Sequence, residues 1–434
     1  MSKRRHDDFY QNINLNVRGL GQSATLAINE ESNKLRRRGK TVYKLGLGQS
    51  PFPVPEHVVE ALRQNAHQKD YLPVLGLHEL RKAISKCQKQ NQGLDYHHQN
   101  IMVGPGSKEL IFILQLAYYG DLIIPTPSWV SYSPQAQIVG RNVHWVPTRA
   151  EKGYKLTPER LDLICRSDPK RPRIAILNYP SNPTGCSFTE DELGELAKVA
   201  RKYKVILVSD EIYGLTSHNG IHKSIAHYYP EGTIVSSGLS KWCGAGGWRL
   251  GFFAVPENLR WLLLGMKTVA SETFTATSAP IQYAAVTAFS GGREMENYLF
   301  HTRRILKAIA NEMGKKFDEL NITYPKPDGA FYFFVNFEHY RENLKKRKIY
   351  TSSELCKALI KDTGVAILPG SDFGRQPEEL SARIAYVDFD GTATLNNSFA
   401  LKKRKTLNGE FVNENCSKLL DAVDVMGNWL QKKK

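Results

Sequence analysis

The segment Ser240-Lys241-Trp242-Cys243-Gly244-Ala245-Gly246-Gly247-Trp248-Arg249 sets a lysine beside a hydroxyl and before a glycine-rich run, with an arginine eight residues on. A lysine amine can condense with an aldehyde, and a guanidinium can fork onto a phosphate. Other groups suit the same kind of small molecule. In Ser209-Asp210-Glu211-Ile212-Tyr213, Asp210 can pair with a protonated ring nitrogen and Tyr213 can donate to a ring oxygen. Asn178-Tyr179-Pro180-Ser181-Asn182-Pro183-Thr184-Gly185 fixes a tight turn that aims the Asn182 amide. Gly104-Pro105-Gly106-Ser107-Lys108-Glu109 opens a helical pattern and presents free backbone N–H groups to an anion. Trp129, in Pro127-Ser128-Trp129-Val130-Ser131-Tyr132, offers a flat face to an aromatic ring. Each feature alone has an ordinary explanation: a core tryptophan, a helix cap, a strand-to-helix turn, a solvated lysine. Arg383 is different, because it sits inside the apolar pattern Ala382-Arg383-Ile384-Ala385-Tyr386-Val387. A buried unpaired cation is costly, so that arginine calls for an anionic partner.

The elements that must position these groups alternate. Short β-branched runs at Leu122-Ile123-Ile124, Ile174-Ala175-Ile176-Leu177, Val205-Ile206-Leu207-Val208 and Thr233-Ile234-Val235 read as buried strands. Between the second and third, Thr189 and Glu192 form a capping box, and Leu193, Leu196, Ala197 and Ala200 share one helical face. Strand, helix, strand implies right-handed crossovers and a central, mostly parallel α/β sheet. Ligands bind such sheets at the carboxyl ends of the strands, where Asn182, Asp210 and Lys241 fall. The runs at Ala330–Val335, Val365–Leu368 and Ala382–Val387 predict a smaller sheet in a second domain. The Asn-, Thr- and Lys-rich stretch 388–415 reads as a long surface loop. We expect a large domain over 56–315 and a small one from 1–55 with 316–434.

Bulk properties narrow the class. The chain has 434 residues and a formal net charge of +16, with the excess in short clusters such as Lys345-Lys346-Arg347-Lys348, Lys402-Lys403-Arg404-Lys405 and Lys432-Lys433-Lys434. Without aromatic interleaving or a helix-turn-helix pattern these read as solvated faces rather than a nucleic-acid site. No apolar run reaches the ~20 residues of a spanning helix. The start, Met1-Ser2-Lys3-Arg4-Arg5, shows no secretory signal, and six scattered cysteines without a CxxC pair fit a reducing, cytoplasmic setting.

Taken in order, Asn-Pro-Thr-Gly at 182–185, Asp-Glu-Ile-Tyr at 210–213, Ser-Lys at 240–241, Gly-Trp-Arg at 247–249 and the Arg383 strand resemble the class I aminotransferases of the fold-type I pyridoxal phosphate enzymes. The resemblance runs from about Gln22 to Val387 and is closest to the bacterial aspartate/prephenate aminotransferase branch. It implies a seven-stranded-type sheet in the large domain. It also implies that Lys241 is the Schiff-base lysine and proton shuttle, with Asp210 on the pyridine nitrogen, Asn182 and Tyr213 on the ring oxygen, and Trp129 stacked on the ring. Ser107, Lys108, Ser240 and Arg249 would cup the phosphate. Arg383 would clamp the substrate α-carboxylate beside Asn182 and the Gly48 backbone, and Lys108 would meet a distal carboxylate. Tyr71 would reach the partner subunit's phosphate site, which requires a homodimer. The implied activity is ping-pong transfer of an amino group between an amino acid, acidic or aromatic, and a 2-oxo acid.

Three features depart from that branch: Gln49-Ser50-Pro51, Trp242-Cys243-Gly244-Ala245, and the 388–415 insertion. A β-lyase or aminocyclopropane-carboxylate synthase on the same scaffold stays open, since fold does not fix chemistry. A cofactor-binding regulatory protein would need a DNA-binding module, for which the twenty or so residues before Ser23 are too few.

Overall fold

A computed structural model describes residues 12–432. The basic N-terminal run and Lys433 and Lys434 lie outside the described residues. The strands are β1 (Tyr43–Lys44), β2 (Ile101–Gly104), β3 (Asp121–Thr126), β4 (Val143–Pro147), β5 (Arg173–Asn178) and β6 (Ile206–Asp210). They continue with β7 (Thr233–Gly238), β8 (Gly251–Ala254), β9 (Tyr332–Asn336), β10 (Val365–Ala366), β11 (Leu368–Pro369) and β12 (Ser381–Ala385).

Seven strands form the main sheet in the order β2-β8-β7-β6-β5-β3-β4. All neighbours from β7 to β4 run parallel, and β8 runs antiparallel to both β7 and β2. The four β-branched runs expected as strands are β3, β5, β6 and β7. They are buried along almost their whole length, as strands covered by helices on both faces must be. The predicted helix spans Glu190–Lys202, with both arms of the Thr189/Glu192 capping box made. Register sets the site: Asn178 lies opposite Asp210, and Asp210 opposite Ser236. The chain therefore turns off several parallel strands at one edge, carrying their following residues into one crevice.

The C-terminal sheet differs from the single small sheet expected. The apolar run from Val365 to Leu368 divides at Ile367. β10 pairs in parallel with β1, whereas β11 joins the antiparallel order β11-β12-β9. In that sheet Arg383 lies opposite Leu368 on one side and Phe334 on the other.

The 388–415 stretch is not a long loop. A helix spans Gly391–Ala400 and another spans Gly409–Gln431. Asp390 caps the first by accepting from the Ala393 N–H at 2.9 Å, and Asn408 caps the second. The polar composition misleads because two of its hydroxyls, Thr394 and Ser398, are buried and partnered. Thr394 Oγ1 donates to the Asp390 carbonyl, and Ser398 Oγ accepts from Arg304 Nε of the Arg293–Glu319 helix. Leu395 enters the core beside them.

Candidate active site

A cavity of about 520 Å³ opens at the carboxyl edge of the main sheet. Gly48, Ser107, Lys108, Trp129, Asn182, Asp210, Tyr213, Ser240, Lys241, Arg249 and Arg383 all line it. Of the residues singled out in the sequence, Tyr71 alone stays away: its side chain is 93% exposed on the outside of the chain.

Lys241 follows β7 and donates from Nζ to the Gly48 carbonyl at 2.7 Å. Burial, then the positive charges of Arg383 and Arg249, bring its pKa down to about 8. Part of the amine population is therefore neutral near neutral pH, as a nucleophile and proton carrier needs. Asp210, at the end of β6, is 3% exposed. Its Oδ2 accepts from the Tyr132 hydroxyl at 2.6 Å, and its backbone carbonyl accepts from Asn178 Nδ2 at 2.8 Å. Burial raises its pKa to about 6, against the lowering effect of the Tyr132 hydrogen bond. No cation pairs with it among the described residues, so a cationic ring nitrogen would complete the site.

The anion end lies at the start of the Ser107–Ala117 helix, where Gly106 supplies no side-chain cap. Gly106 has φ +91°, and a Cβ there would run into the Arg249 guanidinium. Only glycine lets that arginine lie across the helix N-terminus, where it donates to the Pro105 carbonyl at 3.2 Å and the Gly246 carbonyl at 3.0 Å. A guanidinium, two serine hydroxyls and free helix N–H groups together suit a phosphate.

Arg383 is 1% exposed and has no carboxylate partner among the described residues. Nη1 donates to Asn182 Oδ1 at 2.9 Å, Nη2 donates to the Gly46 carbonyl, and Nε has no acceptor. The guanidinium lies over the Tyr332 ring, 4.7 Å from its centroid. A buried cation in a cavity wall, with no carboxylate to pair it, is suited to receive an anion. Lys108 Nζ stands over the Trp129 ring at 5.4 Å, its pKa lowered by burial and then by Arg249.

Sequence reasoning gave no role to Tyr132, Tyr332, Asn178, Thr25 or Leu26, which also line the cavity. Two of them carried a signal. Tyr132 stands three residues after Trp129, and Tyr332 alternates with Phe334, the β9 residue opposite Arg383. Tyr332 therefore shares the face that the guanidinium covers, and its hydroxyl bonds that of Tyr213 at 2.6 Å. Thr25 and Leu26 belong to the Ala24–Arg37 helix, whose folding back over the cavity no local pattern encodes.

The orphan donor on Arg383, the unpaired Asp210 carboxylate and the Gly106–Arg249 cradle fit pyridoxal phosphate with an amino-acid substrate beside it. Comparison with known proteins agrees. Residues 40–391 match the family described as aminotransferase class I and II. An aspartate aminotransferase of Geobacillus stearothermophilus is 35% identical over 371 residues, covering 82% of this chain and 91% of that protein. An asparagine–oxo-acid transaminase of Streptococcus mutans is 32% identical over 391 residues, covering 85% and 92%. The solved aspartate aminotransferase from Thermus thermophilus with maleate superposes with a TM-score of 0.81 at 26% identity, covering 96% of this chain and 99% of that one. Sequence, fold and cavity converge, and the chain belongs to the class I and II aminotransferases: it is a fold-type I, pyridoxal phosphate-dependent enzyme that moves an amino group between an amino acid and a 2-oxo acid.

Proposed function

We propose that the amino donor is an acidic amino acid, aspartate foremost. The observation that carries this is a pair of cations without carboxylate partners among the described residues, Arg383 and Lys108, lining the same cavity as Lys241. A substrate with two carboxylates satisfies both. Arg383 and Asn182, with the Gly48 backbone, hold the α-carboxylate, while Lys108 takes the distal one. Relatives named as acting on aspartate and asparagine support a short polar side chain.

Pyridoxal phosphate, when bound, supplies an aldehyde and an electron-accepting ring. Ser107, Ser240 and Arg249 hold its phosphate, Trp129 covers its ring, Asp210 pairs with its ring nitrogen, and Asn182 and Tyr213 donate to its ring oxygen. Lys241 Nζ, partly neutral through burial, takes the proton from the substrate Cα. Arg383 fixes the carboxylate so that this Cα–H faces Nζ.

Residues 56–315 form the cofactor domain in this reading, with 1–55 and 316–434 the smaller one. Tyr71, exposed at 93% and outside its own chain's cavity, completes the phosphate site of a second copy in a homodimer. Six free cysteines suit a cytoplasmic enzyme.

The test is a panel of amino donors against 2-oxoglutarate and oxaloacetate, with wild type and Lys108→Ala. Aspartate should be among the best donors. The substitution should cut kcat/KM for aspartate roughly ten- to hundred-fold, the scale of a lost charged hydrogen bond, and spare an apolar donor. Equal losses on both donors would remove the acidic-substrate reading. Catalytic release of pyruvate or ammonia without an acceptor would point to lyase chemistry instead.

A further inference from the structure

Two features that depart from the resembling branch meet each other. Residues 44–53 form a strap between the two cations of the site: the Gly46 carbonyl accepts from Arg383, and the Gly48 carbonyl from Lys241 at 2.7 Å. Leu47, Gly48 and Gln49 line the cavity. The segment 388–391, just after the Arg383 strand, grips this strap at both ends. Asp388 Oδ2 accepts from the Lys44 backbone N–H at 2.7 Å and pairs with Lys418 Nζ of the Gly409–Gln431 helix at 2.7 Å. At the other end, buried Gly391 lies against the Pro51 carbonyl, and the Phe389 ring meets Phe52 edge-on at 5.9 Å. A Cβ on Gly391 would collide with Pro51 and come within 2.9 Å of the Phe52 backbone nitrogen. Backbone cannot yield there as a flexible side chain could.

The bracket is itself anchored. Gly391 begins the Asp390-capped helix, and Arg304 fastens that helix to the Arg293–Glu319 helix through Ser398 Oγ and the Ser398 carbonyl. The family match ends at residue 391, where this helix begins.

We infer that the 388–400 segment is a brace that sets the position of the strap, with Gly391 and Asp388 as positioning residues for substrate binding. They act through Gly46 and Gly48 on the pocket that receives the substrate α-carboxylate. Among the described residues, no hydrogen bond or ion pair joins the brace to Ser107, Ser240 or Arg249, whose guanidinium bonds Gly246 and Pro105 instead. Damage to the brace therefore separates substrate affinity from cofactor affinity. The inference rests on the carboxylate role proposed for Arg383.

The test uses the pyridoxal phosphate-loaded enzyme, with maleate as a dicarboxylate probe that needs no turnover. Gly391→Ala suits helical backbone, since alanine is the better helix former; any loss must come from the collision with the strap. Its maleate Kd and aspartate KM should rise roughly ten-fold, the scale of a small misplacement in a binding site. Cofactor affinity should stay within about two-fold, and KM should change more than kcat. Asp388→Asn, which keeps the fold's volume but removes the charge, should act in the same direction by about three-fold, less than a full charged hydrogen bond. It serves as the deciding variant should Gly391→Ala fail to fold. Unchanged maleate binding in a folded variant overturns the brace, as does an equal loss of cofactor and maleate. Arg383→Ala separates the two levels. If it binds maleate as well as wild type, the carboxylate reading falls and takes the brace with it. If it loses maleate while the brace variants keep it, the brace alone falls.

Discussion

Asp210 and Lys241 depart from ordinary titration in opposite directions, and burial is the first cause of both. Asp210 has a folded pKa of about 6, above the ordinary carboxylate value of about 3.9. Its contribution to stability is thus fully present below pH ~4 and lost as pH rises through about 6. Without cofactor, ionised Asp210 is a buried anion that makes no salt bridge among the described residues, with Lys241 the cation that shares its cavity. Asp210→Asn should therefore stabilise the cofactor-free protein above pH 6, by about 3 kcal/mol, and give no gain below pH 4. The same change should weaken pyridoxal phosphate retention, because the ring nitrogen loses its anion. Thermal melts across pH, with and without cofactor, check both halves; a variant no more stable than wild type at pH 8 would mean the charge is already compensated. Lys241 has the mirrored sign: its folded pKa of about 8 lies below 10.5, so its contribution is present above pH ~10.5 and lost as pH falls through 8. What falls with pH is also the neutral amine. The rate at which the cofactor-free enzyme takes up pyridoxal phosphate should climb through pH 8 and then level. A flat profile from pH 6 to 9 would remove the argument that burial activates this lysine.

At the scale of elements, legibility followed locality. The strands β3, β5, β6 and β7 could be read because a buried parallel strand is an unbroken apolar run, with its chemistry at the carboxyl end. The Glu190–Lys202 helix could be read because its cap lies three residues from its partner. That cap makes a clean prediction: Thr189→Ala should cost about 1 kcal/mol in urea unfolding and leave kcat unchanged, because the helix packs under the sheet rather than at the cavity. A change in kcat would tie the helix to the site. The Gly391–Ala400 helix could not be read, because its Ser398 hydroxyl is buried against partners more than ninety residues away, Arg304 and His301. The site divides the same way. Residues on strand-end motifs announced themselves, while Tyr132 was visible only as part of a motif built around Trp129. Thr25 and Leu26 reach the cavity through a chain reversal that sequence does not reveal.

At the scale of the whole molecule, the homodimer proposed above turns on the exposed Tyr71. A tyrosine that leaves its own chain's cavity, yet stands at a position resembling a phosphate-site residue, is most simply explained by a two-fold dimer in which each chain completes the other's site. That arrangement predicts complementation between two damaged chains. Lys241→Ala alone should lose turnover, and Tyr71→Ala alone should hold pyridoxal phosphate weakly and work poorly at limiting cofactor. In a mixed dimer one site collects both defects and the other collects neither. With random pairing of equal amounts, half the dimers are mixed and each carries one intact site. Co-expression should therefore restore about a quarter of wild-type activity per chain at limiting cofactor, the fraction that two-fold pairing demands. Mixing the separately purified variants without subunit exchange should restore none. Activity that never exceeds the average of the two parents after exchange would show that each chain builds its site alone, and Tyr71 would then be a surface residue with no part in it.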